Sequence, residues 1–168
     1  MTNPVRNNRK NFIITILGIV AVLLLLAPAY RLACGLGLKK VYSDNGISIY
    51  ADGVEHKEKA KQMAETLRIQ LLEIDSNYSP KISIYLCRTM AGFRIKAIAI
   101  GKPLALSRTS LKATFFRPCD WAKNSIVPRK PELLPRSLSS VLLHEALHHY
   151  EREKLGAVRF FIKMCSEN

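Results

Sequence analysis

Residues 12–30, FIITILGIVAVLLLLAPAY, run for 19 positions without a charge, about the length a helix needs to cross the hydrocarbon core of a bilayer. This run withdraws the first 30 residues from any water-soluble core. What remains, residues 31–168, is enough for one domain and too little for a second. The expected partition is a basic N-terminal tail over 1–11, a transmembrane anchor over 12–30, and one domain over 31–168. Arg6, Arg9 and Lys10 precede the run, which places the N-terminus in the cytoplasm and the domain on the extracytoplasmic side. Arg31, Lys39 and Lys40 follow it and bring the charge count close to a tie. A cleaved signal competes with the anchor, since Ala27-Pro28-Ala29 has small-x-small spacing. Pro28 and the length of the run favour the uncleaved reading.

Charge is unevenly placed in the rest of the chain. Lys and Arg number 26 against 13 Asp and Glu, a net charge of +13. Between Lys81 and Arg136 stand 12 basic residues and only two acids, Asp120 and Glu132. Such a stretch attracts nucleic acid, anionic lipid or an acidic substrate. It interleaves few aromatics and has no recognisable reading motif, so nucleic acid is disfavoured and a solvated basic face is the plainer reading. Cys34, Cys87, Cys119 and Cys165 form no CxxC pair, which argues against a cysteine zinc site. A single bridge among the last three, or buried thiols, both stay open.

The local patterns give an α+β order. Asp44-Asn45-Gly46 is a turn signal inside a strand pattern over residues 41–51. Asp52 and Glu55 have the spacing of an N-cap and its reciprocal acid. Ala60, Met63, Ala64, Leu67, Leu71 and Ile74 then recur in steps of three and four, the stripe of an amphipathic helix. Residues 81–87 alternate as a second strand. Residues 89–100 are a weak helix candidate, and 111–116 a third strand. Pro118, Pro128, Pro131 and Pro135 punctuate a loop that no regular element is expected to cross. A last helix begins after Pro135 with Ser137 as N-cap, and Gly156 is its expected stop.

That helix carries His144-Glu145-Ala146-Leu147-His148, an HExxH arrangement. Residues four apart stack on one helical face, so both imidazoles can point at one Zn²⁺. Glu145 lies about 100° round the helix, placed to hold a metal-bound water without ligating the metal. The metal acidifies the water, and the glutamate accepts its proton as general base. A chance HExxH arises in roughly 0.5% of chains of this composition, so the match is read as a signal. His56 is expected to be exposed, and His149, off the metal-facing stripe, to be a rim residue.

The segment from Arg136 through Val141-Leu142-Leu143 into HEALHH, followed by Leu155-Gly156 and Arg159-Phe160, resembles the peptidase MA-like gluzincins. Residues 43–50 and the strand ending Ile84-Tyr85-Leu86-Cys87 resemble the opening elements of that family. The resemblance implies a small zincin-like fold, a short sheet plus an HExxH helix, with His144 and His148 as zinc ligands and Glu145 as catalytic base. It implies a third ligand from a glutamate on a later helix, commonly in a Trp-x-x-Glu-Gly segment, which this chain lacks. Metzincin ligands are excluded, because Glu151 and Lys154 stand where Gly and His are required. Glu167, 19 positions after His148, is the remaining family-like choice. Residues 31–168 are thus expected to form a metallopeptidase domain incomplete at its C-terminus.

The expected function is membrane-anchored, zinc-dependent hydrolysis of peptide or protein substrates. The alternatives are a catalytically impaired or truncated zincin acting as a binding module, and a membrane-tethered basic domain.

Overall fold

The computed structural model describes residues 15, 18, 34–52, 56–98, 103–120, 123–126, 128 and 134–166, excepting the side chains of 161 and 164–166. The chain divides into two units, Met1–Leu36 and Gly37–Asn168. The second holds every element described below.

Strands β1 (Lys39–Asp44) and β2 (Ile47–Ala51) form an antiparallel hairpin. Asn45 and Gly46 both have positive φ, 46° and 78°, as the favoured two-residue hairpin turn requires. Gly46 is obligatory for a second reason: a Cβ there would run into the Pro80 carbonyl oxygen. Its own carbonyl accepts from the Ile82 amide at 2.9 Å, tying the turn to the start of the next strand.

Helix α1 (Lys57–Ile74) crosses from β2 to β3 (Ile82–Leu86), which lies parallel to β2. Helix α2 (Met90–Ala97) and β4 (Ala105–Arg108) follow, then a 3₁₀ turn, Thr109–Leu111, and β5 (Ala113–Phe116). The sheet order is β1-β2-β3-β5-β4, with β5 parallel to β3 and β4 antiparallel at the edge. Helix α3 (Leu138–Ser166) ends the described chain.

Alternation sorts side chains between two layers. Ile47, Ile49, Ala51, Ile82, Ile84, Leu86 and Phe116 join the inner faces of α1 and α3 in one buried cluster. Each fully buried Ile or Leu contributes about 1.5–3 kcal/mol. On the opposite face, Tyr50, Tyr85 and Phe115 stack in register across three strands, with centroids 4.7 and 5.0 Å apart. Arg108 on this face donates to the Ala97 and Ile98 carbonyls at 2.8 and 3.0 Å, bringing positive charge to the C-terminus of α2.

Several expectations need correction. The anchor at residues 12–30 falls, apart from Thr15 and Gly18, outside the described residues. Among the described residues no helix is long and apolar enough to cross a membrane; α1, for one, carries Lys57, Glu58, Lys59, Lys61 and Glu65 on its exposed faces. The single-pass reading, and the extracytoplasmic placement built on it, are therefore set aside. The expected cap at Asp52 is also displaced. Helix α1 starts at Lys57 with His56 at the N-cap and no side-chain cap bond. Asp52 lies instead 3.6 Å from His56 Nε2, and His56 is half-buried rather than exposed. The proline-rich loop holds a small antiparallel sheet of two-residue strands, β6 (Cys119–Asp120), β7 (Ser125–Ile126) and β8 (Arg136–Ser137). Ile126, fully buried in the main core, anchors it. Cys87 and Cys119 are thiols; the side chain of Cys165 lies outside the described residues.

Candidate functional site

Ser137 caps α3 as expected, its hydroxyl accepting from the Ser140 amide at 3.3 Å. Along the helix, Leu138, Val141, Leu142, Glu145, Ala146 and His149 are all buried. Those steps of three and four make one inward stripe, and two of its six members are polar. His144 is exposed and His148 half-buried, so the pair looks outward from the edge of that stripe. Their rings lie 4.8 Å apart at 78°. This is the stacked i, i+4 placement the spacing predicts.

Glu145 is 8% exposed, yet its carboxylate makes no hydrogen bond or ion pair among the described residues. It lines, with His144, an open cavity of about 710 Å³. Leu104 and Ala105, where the chain enters β4, line it too, as do Pro128 and Pro135. Sequence reasoning missed β4. Its four residues turn Ala105 and Ser107 to one face and Leu106 and Arg108 to the other, so both faces mix polar and apolar groups and no period-2 pattern shows.

Behind this cavity the helix is bonded to the sheet. The Ser107 hydroxyl donates to the Glu145 carbonyl at 3.1 Å and lies 3.0 Å from Thr114 Oγ1, which is 2.9 Å from His149 Nε2. A hydroxyl has one proton. Ser107 has committed its own, so Thr114 donates to Ser107 and must accept from His149. The chain thus fixes His149 as the Nε2–H tautomer. Burial, followed by the nearby charges of His148, Arg152 and Lys112, pushes its pKa down to about 4. His149 is 5% exposed, a buried structural residue and not the rim residue expected.

Helix α3 changes direction at Gly156, where φ is 75° and ψ 163°. The expected stop is a kink, beyond which the helix resumes. The kink brings Phe160 to His148, centroids 6.3 Å apart, and Lys163 to Glu151 at 2.6 Å. Glu151 is thereby engaged by an ammonium group. Glu153 faces a different cavity, and Glu167 lies outside the described residues.

The donor set decides the zinc expectation. Two imidazoles stand together, but no group of three His, Cys, Asp or Glu side chains able to hold a metal ion is present among the described residues. A catalytic zinc site needs three protein ligands and an open position. The described residues do not fit a complete zinc centre, so the zinc-binding and metalloprotease expectation is corrected to an HExxH helix with two outward histidines. Compared with family models, curated proteins and solved structures, the chain has no match.

Proposed function

We propose that residues 37–168 form a peptidase-like domain that receives an extended polypeptide segment between β4 and the first half of α3, acting by binding rather than by turnover. One observation carries this reading. The outer edge of β4 has no strand partner among the described residues, and the cavity beside it is walled by His144 and Glu145. An edge strand offers a row of main-chain donors and acceptors, and a peptide added there gains affinity from backbone bonds and selectivity from alternate side chains. Here one set of side chains enters the cavity. Glu145, which lines the cavity and has no partner among the described residues, is available to accept a hydrogen bond from a peptide amide or a water. The resemblance of the HExxH segment to peptidase MA-like proteins agrees with a polypeptide ligand.

Hydrogen exchange of the full chain with a panel of unstructured peptides tests this. A binding peptide is expected to protect the amides of residues 104–108. Binding without protection there would remove β4 from the site. Hydrolysis in the presence of zinc, lost in Glu145→Gln, would support turnover in place of binding.

A further inference from the structure

A second cavity, about 230 Å³, lies at the other end of β4. It opens where the parallel strands begin: Lys81 directly precedes β3 and Lys112 directly precedes β5. The Ser83 amide donates to the Lys112 carbonyl at 2.8 Å, holding these two starts side by side. Arg152 reaches the same cavity from α3, oriented by a 2.8 Å bond from its Nη1 to Thr109 Oγ1. That bond uses one of five guanidinium donors and leaves the others for a ligand. Among the described residues neither Lys81 nor Lys112 has an acidic partner. Glu153 is the one carboxylate in the lining, so three cations against it leave a surplus of two positive charges.

Tyr78 adds a second observation. Its side chain is 6% exposed and its ring packs edge-on against Tyr150 at 5.0 Å. Tyr78 lines this cavity, and its hydroxyl has no hydrogen-bond partner among the described residues. Burial, then Glu153 and Tyr150, raises the phenol to about 12, so it is present as a donor. His149 closes the cavity as a neutral wall, its Nε2–H already committed to Thr114.

We propose that this cavity binds a small oxyanion, held by Lys81, Lys112, Arg152 and the Tyr78 hydroxyl. Three cations gathered around one carboxylate repel one another, and an oxyanion offsets that repulsion and accepts from the Tyr78 hydroxyl as well. Its volume falls below the roughly 300–1,000 Å³ of drug-sized sites, which points to a single phosphate-sized or carboxylate-sized group. The site shares α3 with the peptide cavity but does not depend on that reading.

The test is titration of the full chain with inorganic phosphate or acetate at constant ionic strength, read by calorimetry and, for phosphate, by ³¹P line width. Saturable binding of one equivalent is expected, and the tighter arm identifies a tetrahedral or a planar oxyanion. Lys112→Gly should weaken it tenfold or more. That variant suits the backbone, because Lys112 has a φ of 52°, where glycine is unstrained. Lys61→Ala, on the outer face of α1, should leave affinity within twofold. Absence of saturable binding in both arms overturns the proposal. So does an equal loss in Lys61→Ala, which would reveal only a diffuse response to net charge.

Discussion

His148 and His149 are neighbours in sequence and opposites in structure. His148 is half-buried, touches only the rings of His144 and Phe160 among the described aromatics, and faces outward. His149 is buried on the inward stripe and ends a directed chain of hydrogen bonds through Thr114 and Ser107 to the Glu145 carbonyl. One residue of helical rotation, about 100°, separates chemistry left available from chemistry already committed. A histidine's role on this helix is set by the stripe it falls on, not by its membership of a histidine cluster.

Mutation should separate the two most sharply. His149→Ala removes a packed ring and the hydrogen bond it donates to Thr114, so a loss of about 2–4 kcal/mol is expected in urea unfolding. His148→Ala should cost less than about 1 kcal/mol. Equal costs would erase the distinction.

Acid probes the same contrast. The folded pKa of His149, about 4, lies below the unfolded value of 6.5. Between those values the unfolded chain binds more protons, so stability is complete above pH 6.5 and falls as the pH drops toward 4. The loss is on the order of 3 kcal/mol. In His149→Gln the slope across this window should flatten. An unchanged slope would place the effect in groups other than His149.

Much of this was legible beforehand. The hairpin turn, the buried stripe of α1, the β3 strand and the cap at Ser137 all follow from local patterns, and so does the placing of His144 and His148 on one helical face. The inward turn of Glu145 and His149 was not legible, because a polar residue on an apolar stripe is explained only by partners far off in sequence. Ser107 and Thr114 lie 38 and 35 positions from the atoms they serve. The β4 edge escaped for its shortness and mixed faces, and the β6–β8 pairings because prolines flank every strand. Gly156 was expected to end the helix and instead bends it. Whether a glycine ends a helix or bends it depends on what its far side packs against.

The kink offers a smaller test. At φ 75° and ψ 163°, Gly156 occupies a region essentially reserved for glycine, and the space around it is open. Gly156→Ala should therefore cost about 1–3 kcal/mol through backbone strain alone. It should also loosen the Lys163–Glu151 pair and the Phe160–His148 contact, seen as a shifted His148 ring resonance. An unshifted ring with full stability would mean the bend is not held by glycine.

Glu145→Gln should have the smallest effect on the fold and is the sharpest probe of the cavity. The carboxylate lines the cavity and makes no hydrogen bond or ion pair among the described residues, and the link from its residue to the sheet runs through the backbone carbonyl to Ser107. An amide of the same size leaves that link intact, so unfolding free energy should stay within about 0.5 kcal/mol. Ser107→Ala removes the link and should cost about 1 kcal/mol, because Thr114 then loses its acceptor. The order of these two variants is the decisive reading. If Glu145→Gln proves the costlier, the carboxylate is holding the fold together through a partner, and the cavity wall is structural. If Ser107→Ala is costlier, the helix is held from behind by its backbone, and the Glu145 side chain is left free to meet what enters the cavity.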